Sequence, residues 1–285
     1  MRRAAAIATA LFPASCSGLL VPVAPHSVSA TRALSSKHGR PKMEVCGGRD
    51  ASHETDAASN AVGAPTALSR AREVLFEPAF RNCLAPMAAA GAILGPNLDN
   101  YHSAFGVLTY KDPIELSIAG HVLVTTDWWV PPLFAVAGAG IGGLYILLDA
   151  ALETPQPQRE PVLRDIFLSI SLFSLQYYLS GLLTAAGCPY WVLVASLVII
   201  AERVFNVFDA TRAGLVVSLA TAMLGPFIEI FLVNATDLYV YNGADLFGVD
   251  SWIPVVYFCG GPAVGNLARA VFARLLASEE KEGMA

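Results

Sequence analysis

Long uncharged stretches separated by short polar segments fill the chain from about residue 80 onward. Residues 166–201 are 36 positions without a charge. As one helix they would be about 54 Å long, at 1.5 Å per residue, against a hydrocarbon core of about 30 Å. Gly187-Cys188-Pro189 interrupts the run, and proline cannot continue a regular helix. The pattern therefore predicts two crossings, 166–186 and 190–208. Three more uncharged or nearly uncharged stretches follow the same logic: 130–148, opened by Pro131-Pro132, 213–233, and 251–267. An Ala-rich stretch with Pro86 and Pro96, residues 82–98, predicts the first span and brings the count to six.

Composition agrees. Hydrophobic residues make up 55% and charged residues 14%, with a mean hydropathy of +0.53. An average soluble domain carries about 25% charge, so an ordinary soluble globule and a disordered chain are both excluded. The net charge of −5 offers no electrostatic footprint for nucleic acid. Charge placement then tests the span count. With six spans, Arg70, Arg72, Arg81, Arg159, Arg164, Arg203, Arg212, Arg269, Arg274 and Lys281 fall on one side and only Lys111 on the other. This bias predicts both termini on the cytosolic or equivalent side. Trp128, Trp129, Tyr190, Trp191 and Trp252 fall at span ends on the poorly charged side, where an aromatic belt belongs.

Residues 1–43 contain six basic residues and no acid, in an Ala- and Ser-rich background. They predict a targeting or disordered segment, with a short apolar run after Arg2-Arg3 and then a transit-like basic stretch. Residues 44–78 read as a linker, 79–277 as the membrane domain, and 278–285 as a tail.

Catalytic chemistry is sparse. There is no HExxH, no GxSxG and no phosphate-binding glycine loop. The five cysteines form no CxxC pair. The pattern predicts no catalytic residue, no metal and no cofactor, hence not an enzyme. Glu229 is an acid within the fifth span, a functional candidate by default. Glycines at 138, 140, 142 and 143, and the pair Gly261 and Gly265, predict close helix contacts. Asp209, in a short turn between the fourth and fifth spans, suits either a helix cap or a docking group.

Three segments resemble the Insig (insulin-induced gene) family of endoplasmic-reticulum membrane proteins. They are Trp128-Trp129-Val130-Pro131-Pro132 leading to Asp149, then Phe208-Asp209-Ala210-Thr211-Arg212-Ala213-Gly214, and Ser251-Trp252-Ile253-Pro254 continuing to Gly260-Gly261-Pro262-Ala263-Val264-Gly265-Asn266-Leu267-Ala268-Arg269. The likeness covers roughly residues 80–277 and is that of a divergent, alga- or plant-like member with an N-terminal targeting extension. It implies an all-α polytopic bundle of six transmembrane helices. It implies a non-enzymatic regulator that binds a sterol or diacylglycerol-type lipid among its helices. Its partners would be other membrane proteins of the sterol-sensing type, whose retention or regulation it controls. Carried over residue by residue, the lipid pocket would involve Phe173 or Leu175, Gln176, Val192 and Phe205, and partner binding Asp209 and Arg212. The family implies the endoplasmic-reticulum membrane, whereas residues 1–43 point to a plastid membrane. A transporter or channel built on Glu229, Gln176 and Asn266 is the competing expectation.

Overall fold

The computed structural model describes residues 65–284. The targeting segment expected over 1–43, and most of the linker, lie outside them. The first element falls where linker was expected: helix α1, Ala67–Phe76, capped by Thr66, whose hydroxyl accepts from the Ser69 amide at 3.2 Å. A contact distant in sequence holds it. Arg70 donates to the carbonyls of Ala150 and Ala151 at 3.1 and 2.8 Å and pairs with Glu153 at 3.1 Å. A cation there satisfies carbonyls orphaned at a helix C-terminus, which no local pattern reveals.

Six long helices follow: α2 Pro78–Ala104, α3 Val130–Ala151, α5 Leu163–Ala185, α6 Tyr190–Phe208, α7 Arg212–Ala235 and α8 Ile253–Gly283, with the short α4, Gln156–Arg159, between α3 and α5. The protein is an all-α polytopic membrane protein. Five of the six long helices are apolar and long enough to cross a membrane. The exception, α2, ends in Asn97, Asp99, Asn100 and His102 and extends well past the expected 82–98. It runs through Pro86 and Pro96 unbroken, as helices packed among neighbours can. The break between α5 and α6 falls where expected, with Gly187 at φ +64° and Pro189 leading into α6.

At the end where α2 finishes and α3 begins, the chain also forms strands, which the helical pattern did not announce. β1, Leu108–Tyr110, pairs antiparallel with β4, Tyr239–Tyr241, in the register Leu108↔Tyr241 and Tyr110↔Tyr239. β2, Ile114–Ile118, and β3, His121–Thr126, form a hairpin closed by Ala119 and Gly120, both at positive φ. We call this the strand end, and the opposite end, where α1 and the C-terminal part of α8 lie, the arginine end.

Helix α8 is central. It packs against α2, α3, α5, α6 and α7, and 56% of its apolar stretch is buried, against 22–39% in the other four apolar helices. Much of the surface of those four is thus left to lipid. Helices α2 and α3 approach most closely at Gly91 and Gly138, where a Cβ on either would fall on a carbonyl of the other helix. Of the five expected interfacial aromatics, Trp128, Tyr190 and Trp191 are exposed. Trp129 and Trp252 instead turn into the core, Trp129 stacked on Tyr239 and Trp252 edge-on to His102. His102 lies in the last turn of α2, buried and 2.9 Å from the Ser180 hydroxyl.

Candidate functional site

Two constructions stand out, one inside the bundle and one at its arginine end. The first is a cavity of about 360 Å³ bounded by α2, α3, α5, α7 and α8. That is within the range of small-molecule pockets. Along α7 its wall runs from Val217 to Glu229, about 18 Å of helix. Small residues open it: Gly91, Gly138, Gly140, Gly225 and Gly260 all lie on the wall. Phe134, Phe173, Tyr177 and Tyr257 supply aromatic surface. Of the six glycines expected at close helix contacts, Gly138 and Gly140 lie on this wall.

Helical spacing explains which expected residues reach it. The cavity stripe of α5 is Ile170, Phe173, Ser174 and Tyr177, positions i, i+3, i+4 and i+7. Phe173 is on that stripe. Leu175 points outward and is exposed. Gln176 is fully buried but turned toward α6 and α8, donating to the carbonyls of Leu197 at 3.4 Å and Val255 at 3.0 Å. Val192 and Phe205 are on α6, which contributes nothing to the wall; Phe205 packs on Phe258 instead, with centroids 5.8 Å apart. The structure thus brings only Phe173, of the five, to the cavity. Gly138, Gly140 and Glu229, singled out in the sequence, also reach the wall; the residues missed were Gly91, Gly95, Gly225 and Gly260, and Asp99, Tyr239 and Tyr241 at the strand end.

The polar groups at that end are Asp99, Glu229, Tyr239 and Tyr241. Tyr110 donates to Asp99 Oδ2, and Tyr241 donates to Glu229 Oε2. The β1–β4 ladder makes this possible, because Tyr110, Tyr239 and Tyr241 alternate inward along it. Burial, chiefly, pushes these three phenols above their ordinary range, so each remains a hydrogen-bond donor.

The second construction is a buried polar network. Arg269 of α8 donates to Asp149 of α3, from Nε to Oδ2 at 2.7 Å and from Nη2 to Oδ1 at 2.8 Å. Its Nη1 reaches Asp209 Oδ1 at 3.0 Å, and its Nη2 also reaches the Thr211 hydroxyl at 3.1 Å. Tyr145 lies under the guanidinium, 5.0 Å from the ring centroid, and donates its hydroxyl to Asp209 Oδ2 at 2.7 Å. Thr211 completes the set by donating to Asp209 Oδ1 at 2.7 Å. Two glycines make room: a Cβ at Gly265 would enter the Tyr145 ring, and one at Gly214 would fall on the Asp209 carboxylate. Asn266, one residue beyond Gly265, donates to the Phe208 carbonyl at 2.9 Å, where α6 ends.

This corrects the expectation for Asp209. Its carboxylate has no exposed surface, so it is not available as a docking charge. Nor does it cap α7; Thr211 does, accepting from the Gly214 amide at 2.9 Å. The residue instead ties the α6–α7 turn to α3 and α8. Arg212, the other expected partner residue, is exposed. Among the described residues no cluster of three or more His, Cys, Asp or Glu side chains is arranged to hold a metal, and Cys83, Cys188 and Cys259 are free.

No protein-family model matches the chain. Over 158 residues it is 30% identical to the insulin-induced gene 1 proteins of Xenopus tropicalis and Homo sapiens, covering 52% of this chain and 57% and 52% of those proteins. It is 29% identical over 192 residues to that of Bos taurus, covering 64% of this chain and 62% of that one. The chain spans a little over half the length of the curated relatives it matches. Among solved structures, the crystal structure of a mycobacterial Insig homolog from Mycobacterium vanbaalenii superposes with a TM-score of 0.55 at 22% identity, over 68% of this chain and 95% of that one. The two share a fold.

Proposed function

We propose that this protein is an Insig-family regulator: an integral membrane protein, not an enzyme, that holds a sterol or diacylglycerol-type lipid among its helices and thereby controls partner membrane proteins of lipid metabolism. The observation that carries the reading is the cavity, walled almost entirely by apolar side chains and helix glycines, in a bundle whose fold is that of the mycobacterial Insig homolog. Its similarity to insulin-induced gene 1 proteins supports the same class. The family favours the endoplasmic-reticulum membrane, with both termini cytosolic; a plastid address in residues 1–43 would move the protein elsewhere. Partner contact falls on the arginine end, where Arg212 is exposed and Asp209 acts from inside by fixing the shape of the turn.

The test is saturable binding of labelled sterol and diacylglycerol to the full chain in phosphatidylcholine nanodiscs. Ala220→Phe and Gly140→Phe, both on the cavity wall, should abolish binding. Binding unaffected by both substitutions would remove the cavity as the site. Substrate flux by the same protein in proteoliposomes would favour the transporter expectation instead.

A further inference from the structure

The cavity has two chemically different ends. Toward the arginine end its wall is apolar, with Met87, Leu144, Val217 and Leu267. Toward the strand end it meets Asp99 and Glu229. Each of these carboxyl groups uses one oxygen for a tyrosine, Tyr110 on Asp99 Oδ2 and Tyr241 on Glu229 Oε2. The other oxygen of each, Asp99 Oδ1 and Glu229 Oε1, makes no hydrogen bond among the described residues. Neither residue is fully buried, and both face the cavity. No lysine, arginine or histidine lies on the wall. The nearby His102 is committed to Ser180, and Lys111 is exposed and paired with Asp237 at 3.7 Å.

An apolar cavity with two unoccupied carboxyl oxygens and no cation discriminates between polar groups. A hydroxyl placed there donates to an acceptor that otherwise goes unmet, and leaving a buried acceptor unmet is costly. A phosphate would bring a negative charge with no cation to pair it, in surroundings where an unpaired charge is strongly disfavoured. We propose that Asp99 and Glu229 are the specificity-determining residues of the cavity: they admit lipids whose polar end is a non-anionic hydrogen-bond donor, a hydroxyl being the simplest, and reject phosphate-terminated lipids with the same tails. Tyr110 and Tyr241 are positioning residues, each fixing one oxygen so that the other faces the ligand. This rests on the reading of the cavity as a lipid site and adds to it the chemistry that selects the lipid.

The experiment compares dioleoylglycerol with dioleoyl phosphatidate, which differ only at the third glycerol oxygen, as competitors for labelled dioleoylglycerol on the full chain in phosphatidylcholine nanodiscs. Wild-type protein should prefer dioleoylglycerol by about 100-fold or more. In Asp99→Asn/Glu229→Gln the amides keep acceptors for the tyrosines and add donors, so the preference should narrow to less than about ten-fold while dioleoylglycerol still binds. Glu229→Gln alone, the milder change, should give an intermediate ratio and serves if the double variant does not fold. Equal competition by both lipids in wild-type protein, or an unchanged ratio in the folded variants, overturns the proposal. Equal competition leaves the lipid-site reading standing, whereas no saturable binding of either lipid removes that reading as well.

Discussion

Arg269 grips Asp149 with two parallel hydrogen bonds of 2.7 and 2.8 Å, although 120 residues separate them and both are buried. The pair joins α3 to α8, and the remaining guanidinium nitrogen, Nη1, fastens Asp209 and with it the α6–α7 turn. A planar guanidinium suits this arrangement because it presents several donors in fixed directions. Two links, α8 to α3 and α8 to the α6–α7 turn, thus depend on one side chain.

Arg269→Met should therefore be severely destabilising. Removing the arginine strands two buried carboxylates, and breaking a buried pair from one side costs about 3–5 kcal/mol. Arg269→Lys should not rescue it, since an ammonium cannot make the two-pronged contact. Thermal unfolding in detergent, followed by size-exclusion recovery, measures this; a lysine variant melting with the wild type would show that charge alone suffices.

At Asp209 the surrounding groups are all donors: the Arg269 guanidinium, the Tyr145 hydroxyl and the Thr211 hydroxyl. Asp209→Asn places an amide N–H₂ against them and should cost about 1–3 kcal/mol. Asp209→Ala leaves all three unmet and should cost more. Both losses should appear in the purified protein with no partner present. Full stability of both variants, together with loss of co-purifying membrane proteins, would restore Asp209 as a docking residue.

Gly265→Ala puts a methyl group into the Tyr145 ring and should cost about 1–3 kcal/mol through overpacking. Tyr145→Ala should also destabilise, by losing a fully buried aromatic side chain. The double variant should be more stable than the sum of the two predicts, because the methyl then has space. Strict additivity in this cycle would place the clash elsewhere.

Asp250, in the loop ahead of α8, is buried, and burial followed by the neighbouring Asp245 raises its carboxyl from 3.8 to about 6. The folded state then holds a proton that the unfolded state has released between those values, so this group weakens the fold above about pH 6 and stops doing so as the pH falls toward 4. Asp250→Asn should melt higher than wild type at pH 7.5, with the gap shrinking at pH 5. A constant gap at both pH values would exclude titration of Asp250 as its cause.

How the site was assembled shows what local pattern carries. Phe173 is found both by resemblance and by the α5 stripe it shares with Ile170, Ser174 and Tyr177. Gln176 and Leu175 sit within three residues of it, yet the 100° turn per residue sends one to α6 and α8 and the other outward. A sequence reading accurate to one or two positions is enough to place a helix, but it misassigns a helix face. Glu229 was conspicuous in the sequence as an acid in an apolar span. Its tyrosine, twelve residues on, was not, because Tyr241 is brought back to the helix by pairing of its strand with Leu108–Tyr110 rather than by a helical repeat.

The sequence by itself determined the class of protein, the approximate positions of the six long helices and the break at Gly187-Cys188-Pro189. Those features follow from hydropathy, charge and backbone chemistry, which are local. Only the tertiary structure decided that Ala67–Phe76 is helical, that Asp209 is buried beneath Arg269, and that Asp99 and Glu229 meet at one end of a cavity. Each of these depends on groups tens or hundreds of residues apart, held together by close helix approach at glycines and by strand pairing. Local spacing marks where such contacts can form, but not which distant segment they meet.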